Sequence, residues 1–157
     1  MGTQVTVFSV KDTEVELGTA EDPSSLPAYN ELTSKITRSA QTPMLELGGR
    51  WTTLHHLLGD WGPGHPLAFL ATGGLPVPAL DDGRHSSGRY FSPTITVDIS
   101  AALVAASDRE ITARVTTTPV GIPKLRTVEA IRLIDRLRAF VGDAVHNGRG
   151  IVVHRFT

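Results

Sequence analysis

Residues 127–156 read TVEAIRLIDRLRAFVGDAVHNGRGIVVHRF, and the fold class turns on this stretch. Ile131, Ile134, Leu137, Val141 and Val145 recur every three or four residues, the spacing that lines one face of a helix over Thr127–His146. Arg132 and Arg136 lie four apart on another face, and Asn147-Gly148 is a helix stop. Gly150 to Phe156 then reads as a strand, and the consecutive apolar Ile151, Val152 and Val153 predict burial on both of its faces. At the other end of the chain, Thr3 to Val10 is β-branched and aromatic and reads as a second strand. Strands at both ends with helices between them predict an α+β fold: one compact domain over residues 1–157, with a small mixed or antiparallel sheet packed by amphipathic helices.

The middle of the chain is punctuated by glycine and proline. Gly18 to Tyr29 carries turn chemistry and reads as a loop, and Tyr29 to Ser39 as a short helix. Pro43 opens a predicted helix whose stripe Leu47, Trp51, Leu54 and Leu58 recurs at four, three and four residues, ended by Gly59 and Gly62-Pro63-Gly64. Pro66 to Thr72 reads as a short helix with proline first, His65 as a cap and Gly73-Gly74 as the stop. Leu75 to Ser87 reads as a long polar loop, of the kind often tied to function. Arg89 to Val97 alternates and begins as a strand, Ile99 to Ala106 is helical, and Ser107-Asp108-Arg109-Glu110 is a capping box that starts a new helix at Asp108.

Composition narrows the function classes. The chain has 157 residues, a length of about one domain, and its formal net charge is −1. A chain of this size buries roughly 68–70% of its unfolded surface and needs no covalent staple. There are no cysteines, which removes disulfides, thiol nucleophiles and thiolate metal sites. The near-neutral balance argues against nucleic acid as a partner, and no apolar run approaches the ~18 residues of a membrane span. The first residues lack the basic and apolar regions of a signal peptide, so a cytoplasmic protein is expected. Charge is uneven: −4 over residues 1–47, −1 over 48–109 and +4 over 110–157. That asymmetry, with the terminal strand pattern, predicts a homodimer formed through part of the sheet or the final helix.

Several blocks carry a resemblance. Arg50-Trp51-Thr52-Thr53-Leu54-His55-His56-Leu57-Leu58 is similar to the Trp-x-x-Leu-His-x-x-Leu helix of the YfbM-like bacterial family, a domain of unknown function. Pro66-Leu67 through Gly73-Gly74, Arg89-Tyr90-Phe91-Ser92-Pro93, Ser107 to Val115, and Leu137 to Phe156 resemble further blocks of that family in the same order. The resemblance implies a small α+β fold and brings no established chemistry with it.

His55 sits beside the apolar stripe, where a histidine is either a core residue with one satisfied nitrogen or a general acid/base. His55 and His56, being adjacent on a helix, point about 100° apart and do not share one ion easily, and His56 with Asp60 completes no metal motif. His85 lies in Asp81-Asp82-Gly83-Arg84-His85-Ser86-Ser87-Gly88-Arg89, a loop whose backbone N–H groups and Arg84 or Arg89 could meet an anion, or which is simply solvated. Arg89 and Tyr90 are candidates to line a cleft with Trp51 and His55, or to be a salt bridge and a buried ring. Arg126, Arg132, Arg136 and Arg138 form a basic patch near the last helix, which reads as a solvated face or as a contact with the acidic N-terminal block, where nucleic-acid binding would want more positive charge and exposed aromatics.

No nucleophile elbow, phosphate loop or metal motif is present, so no cofactor is expected. Two functions fit. The first is a non-catalytic binding or interaction module for a protein or a small-molecule ligand, whose recognition surface would be the Leu75–Arg89 loop, with the charges of Arg84 and Arg89, and the neighbouring helix ends. The second is a small cofactor-independent isomerase, cyclase or lyase of specialised metabolism, with His55 or His85 as acid/base, Arg89 or Tyr90 as the oxyanion or carboxylate contact and Trp51 as the apolar wall.

Overall fold

β5 (Gly150–Phe156) is the central strand of a five-stranded antiparallel sheet in the order β2-β1-β5-β4-β3. The computed structural model describes residues 2–11 and 42–157, so the loop and short helix expected at Gly18–Ser39 lie outside the described residues. The remaining strands are β1 (Gln4–Val10), β2 (Met44–Gly48), β3 (Leu75–Pro76) and β4 (Ser86–Phe91). Four α-helices are described: α1 (Trp51–Leu57), α2 (Pro93–Ala105), α3 (Asp108–Thr116) and α4 (Thr127–His146). The α+β expectation holds, with an antiparallel sheet.

Ile151 to His154 are all buried, as a run of apolar residues in a two-sided strand requires. On one face, Val5, Val7, Leu45, Leu47, Phe91, Ile151 and Val153 pack beneath the helices. α4 contributes Ala130, Leu133, Ile134, Leu137, Val141 and Ala144 to this core, and α2 contributes Ile99 and Leu103. On the other face, Phe8, Val10, Tyr90 and Val152 form a second cluster with Val77 and Leu80. The register fixes the division: Phe8 pairs with Val152 and Val152 with Tyr90, while Val7 pairs with Val153 and Val153 with Arg89. Arg89 therefore points to the helix side and Tyr90 away from it.

Three expectations are corrected. The helix predicted from Pro43 begins only at Trp51, because residues 44–48 form β2, with Leu45 and Leu47 buried and Met44 and Glu46 exposed. Gly48, at φ 58°, turns the chain between strand and helix, so the 47-51-54-58 stripe crosses two elements. The loop predicted over Leu75–Ser87 contains β3 and a 3-10 helix at Pro78–Leu80. Helix α2 begins at Pro93 instead of Ile99, since the Ser92 side chain accepts from the Ile95 N–H and proline occupies the first turn. Ser107 caps α3 at the predicted position, its Oγ 3.1 Å from the Glu110 nitrogen.

Candidate functional site

The two ends of the helix-side sheet face differ. Ile151 and Val153 are covered by helices, whereas Arg155, two residues further along β5, is only partly buried and pairs in register with Val5 and Ser87. Trp51, at the start of α1, donates its indole N–H to the Thr3 carbonyl at 3.1 Å and is thereby tied to the entry of β1. The Arg155 guanidinium lies over the Trp51 ring, 4.7 Å from its centroid.

The third wall is the segment from Pro66 to Gly74. Trp61 donates to the Leu58 carbonyl at 2.9 Å and stacks on His65, ring centroids 4.0 Å apart. His65 Nδ1 accepts from the Leu67 N–H at 3.1 Å, the capping role that its position before Pro66 predicts. This anchors the 3-10 helix Pro66–Ala68, and the turn that follows it supplies carbonyls to the sheet's arginines. Arg89 donates to the carbonyls of Leu70 and Gly73, each at 3.0 Å, and Arg155 to that of Ala71 at 3.1 Å.

Two cations thus share a partly buried corner and, among the described residues, no carboxylate lies in ion-pair range of either. Burial, and then the charge of Arg155, lower the Arg89 pKa to about 10. Arg155 Nε and Thr72 Oγ1 are buried and without a hydrogen bond. Thr72 stands between Ala71 and Gly73, whose carbonyls the two arginines hold. One helical turn after Trp51, His55 is partly buried and its Nδ1 also lacks a partner. Burial lowers the His55 pKa, Asp60 opposes this and His56 adds to it, a direction that favours the uncharged ring.

His56 has a different task. Its Nδ1 lies 2.6 Å from Asp60 Oδ2 and its Nε2 3.1 Å from the Arg114 carbonyl, while Arg114 donates to the Leu57 carbonyl at 3.0 Å. This staple joins the end of α1 to α3. Among the described residues no three His, Asp or Glu side chains are grouped to hold a metal ion.

The polar loop is built differently from the sequence expectation. Asp82 Oδ1 accepts the N–H groups of Arg84, His85 and Ser86 at 2.9, 2.7 and 2.8 Å, and Asp81 accepts that of Gly83 at 2.8 Å. The backbone donors expected to face an anion are therefore consumed by the loop's own carboxylates, and these bonds lower the Asp82 pKa. Arg84 and His85 are exposed. The loop still borders the Arg155 end of the sheet, since the His85 carbonyl accepts the Thr157 N–H at 2.8 Å.

Tyr90 is separated from Arg89 by the sheet itself and packs in the second cluster. On that face Ser86 Oγ lies 2.8 Å from His154 Nε2 and donates to the Leu80 carbonyl at 2.7 Å. The serine has one proton, so the imidazole reaches it as donor, opposite to the arrangement of an activated nucleophile.

Trp51 and Arg89 are thus found at one corner through Arg155, and His55 lies one helical turn further along α1. Arg155 and Thr72 complete the corner and were not singled out by sequence reasoning. The signal for Arg155 is a lone cation in an otherwise apolar central strand. Thr72 has no local signal.

The class defined by this arrangement is an α+β domain with helices on one face of an antiparallel sheet. A solved structure sharing it is that of YfbM from Escherichia coli, a protein of unknown function: TM-score 0.62, 9% identity, covering 98% of this chain and 99% of that one. That likeness is one of fold. No family model matches the chain, and no curated protein matches it. Among the described residues no helix is long and apolar enough to cross a membrane.

Proposed function

We propose that the protein is a binding module whose ligand is a small molecule seated at the corner of Trp51, His55, Thr72, Arg89 and Arg155, with the exposed Arg84 and His85 of the neighbouring loop at its rim. One observation carries the reading: three buried polar atoms, His55 Nδ1, Thr72 Oγ1 and Arg155 Nε, have no partner, and all belong to the elements that frame this corner. An unpaired buried polar group costs about 1–3 kcal/mol, so such groups are retained where something else pairs with them. The module works in the cytoplasm and as a homodimer on this reading. Native mass spectrometry of protein purified gently from its own organism tests both parts. A retained molecule of a few hundred daltons on twice the 16.8 kDa chain mass is the expected result. A bare 16.8 kDa species at micromolar concentration removes both.

A second reading, a cofactor-independent enzyme, is favoured by His55 alone. A neutral imidazole whose Nδ1 has no hydrogen-bond partner, one helical turn after Trp51, is the form a general base requires. Incubation of the retained molecule with wild type and His55→Gln decides it. Conversion by the wild type and none by the variant supports the enzyme, and equal conversion by both removes His55 as the base.

A further inference from the structure

We propose that the corner between β4, β5 and the 66–74 segment recognises an oxyanion, a carboxylate or phosphate that anchors the ligand between Arg89 and Arg155. The inference rests on the binding-site reading above and names the chemistry of its ligand.

The argument is one of charge and donors. Two guanidiniums lie close enough that the charge of Arg155 acts on Arg89, and among the described residues neither has an ion pair. What they meet instead is the carbonyls of Leu70, Ala71 and Gly73 in the turn after the 3-10 helix, together with the rings of Phe91 and Trp51, none of which carries a full negative charge. Three of the described carboxylates have partners elsewhere: Asp60 on His56, and Asp82 and Asp81 on the backbone of their own loop. An arginine has five N–H donors; Arg155 spends one, on Ala71, and Arg89 spends two, on Leu70 and Gly73. The donors left over are what a planar carboxylate or a phosphate accepts, and guanidinium is the side chain whose fork fits both. Thr72 adds a hydroxyl donor that has no acceptor. An oxyanion placed there offsets the repulsion and the desolvation of both cations, whereas a cationic or neutral group relieves neither.

The wild-type full chain, labelled with nitrogen-15, is titrated with sodium phosphate and separately with sodium acetate, sodium chloride holding the ionic strength constant. The arginine Nε–Hε signals are followed, assigned through Arg89→Lys and Arg155→Lys. Saturable shifts of the Arg89 and Arg155 signals are expected. Saturation by phosphate alone identifies a phosphate ligand, and saturation by acetate alone a carboxylate. Arg155→Lys keeps the charge and loses the fork, so at least a ten-fold weaker response is expected. If that variant does not fold, the wild-type titration decides alone. Shifts no larger than chloride produces overturn the inference. A retained ligand without an anionic group also overturns it, yet leaves the binding module standing; loss of both fails both readings.

Discussion

Gly88 is small for a steric reason. A Cβ built there would lie 2.7 Å from Leu80 Cβ and 2.6 Å from Leu80 Cδ1, so the 3-10 helix at Pro78–Leu80 sits directly on the β4 backbone. Gly88→Ala is expected to push this helix off the second apolar cluster and to destabilise the fold by about 1–3 kcal/mol, the usual cost of overpacking. Urea denaturation measures it, and an unchanged midpoint would show that Leu80 is free to move. The same strand shows what a sequence hides at this scale. Arg89 and Tyr90 are neighbours in the chain, and adjacency in a strand is what puts them on opposite faces. Trp51, His55 and Arg89 were legible as candidates from residue type and setting. Thr72 was not, because the burial of its unpartnered hydroxyl comes from the tertiary packing of its segment, and nothing local encodes that.

Elements form where cap, period and turn agree, and differ from expectation where two elements meet. α4 and β5 were readable because one period persists over the full length of each. β2 and α1 were not separable by spacing, since Leu47 in the strand and Trp51 in the helix happen to continue one helical stripe. The decisive signals there are the alternation over residues 44–47 and the glycine pair that follows. The basic face of α4 also divides by context. Arg138 is 17% exposed, donates to the Leu103 and Ala106 carbonyls at the end of α2, and pairs with Asp108 and Asp135 at 2.9 and 2.8 Å. Arg136 is exposed and has no hydrogen bond or ion pair among the described residues. Arg138→Met is therefore expected to cost about 2–3 kcal/mol, because it frees helix-end carbonyls as well as an ion pair, whereas Arg136→Met is expected to stay within about 0.5 kcal/mol. Chemical denaturation of the two variants compares them, and equal losses would contradict the clamp.

At the scale of the molecule, burial couples stability to pH through histidines at opposite faces of the sheet. The sheet order brings His154 of β5 under Ser86 of β4, where it is 8% exposed. Burial lowers the His154 pKa below its ordinary value near 6.5, against a smaller opposing effect of Asp82. His55 is lowered in the same direction on the helix side. The unfolded chain therefore binds more protons than the folded one between the lowered values and about 6.5, and stability rises with pH across that window. The contribution is present above about pH 6.5 and is lost as pH falls through it. Neither histidine could be assigned this role from sequence. His154 lies in an apolar run, but which face it takes and what covers it depend on a register set between strands more than sixty residues apart. Thermal melts at pH 7.5 and 5.5 are expected to show a lower midpoint at the acidic pH. His154→Gln keeps a donor toward Ser86 but cannot take up a proton, so the variant starts from its own midpoint and loses less on acidification than wild type. The readout is the difference between the two pH values within each protein, which separates proton uptake from any packing cost of the substitution. An equal drop in both proteins would assign the acid sensitivity to other groups.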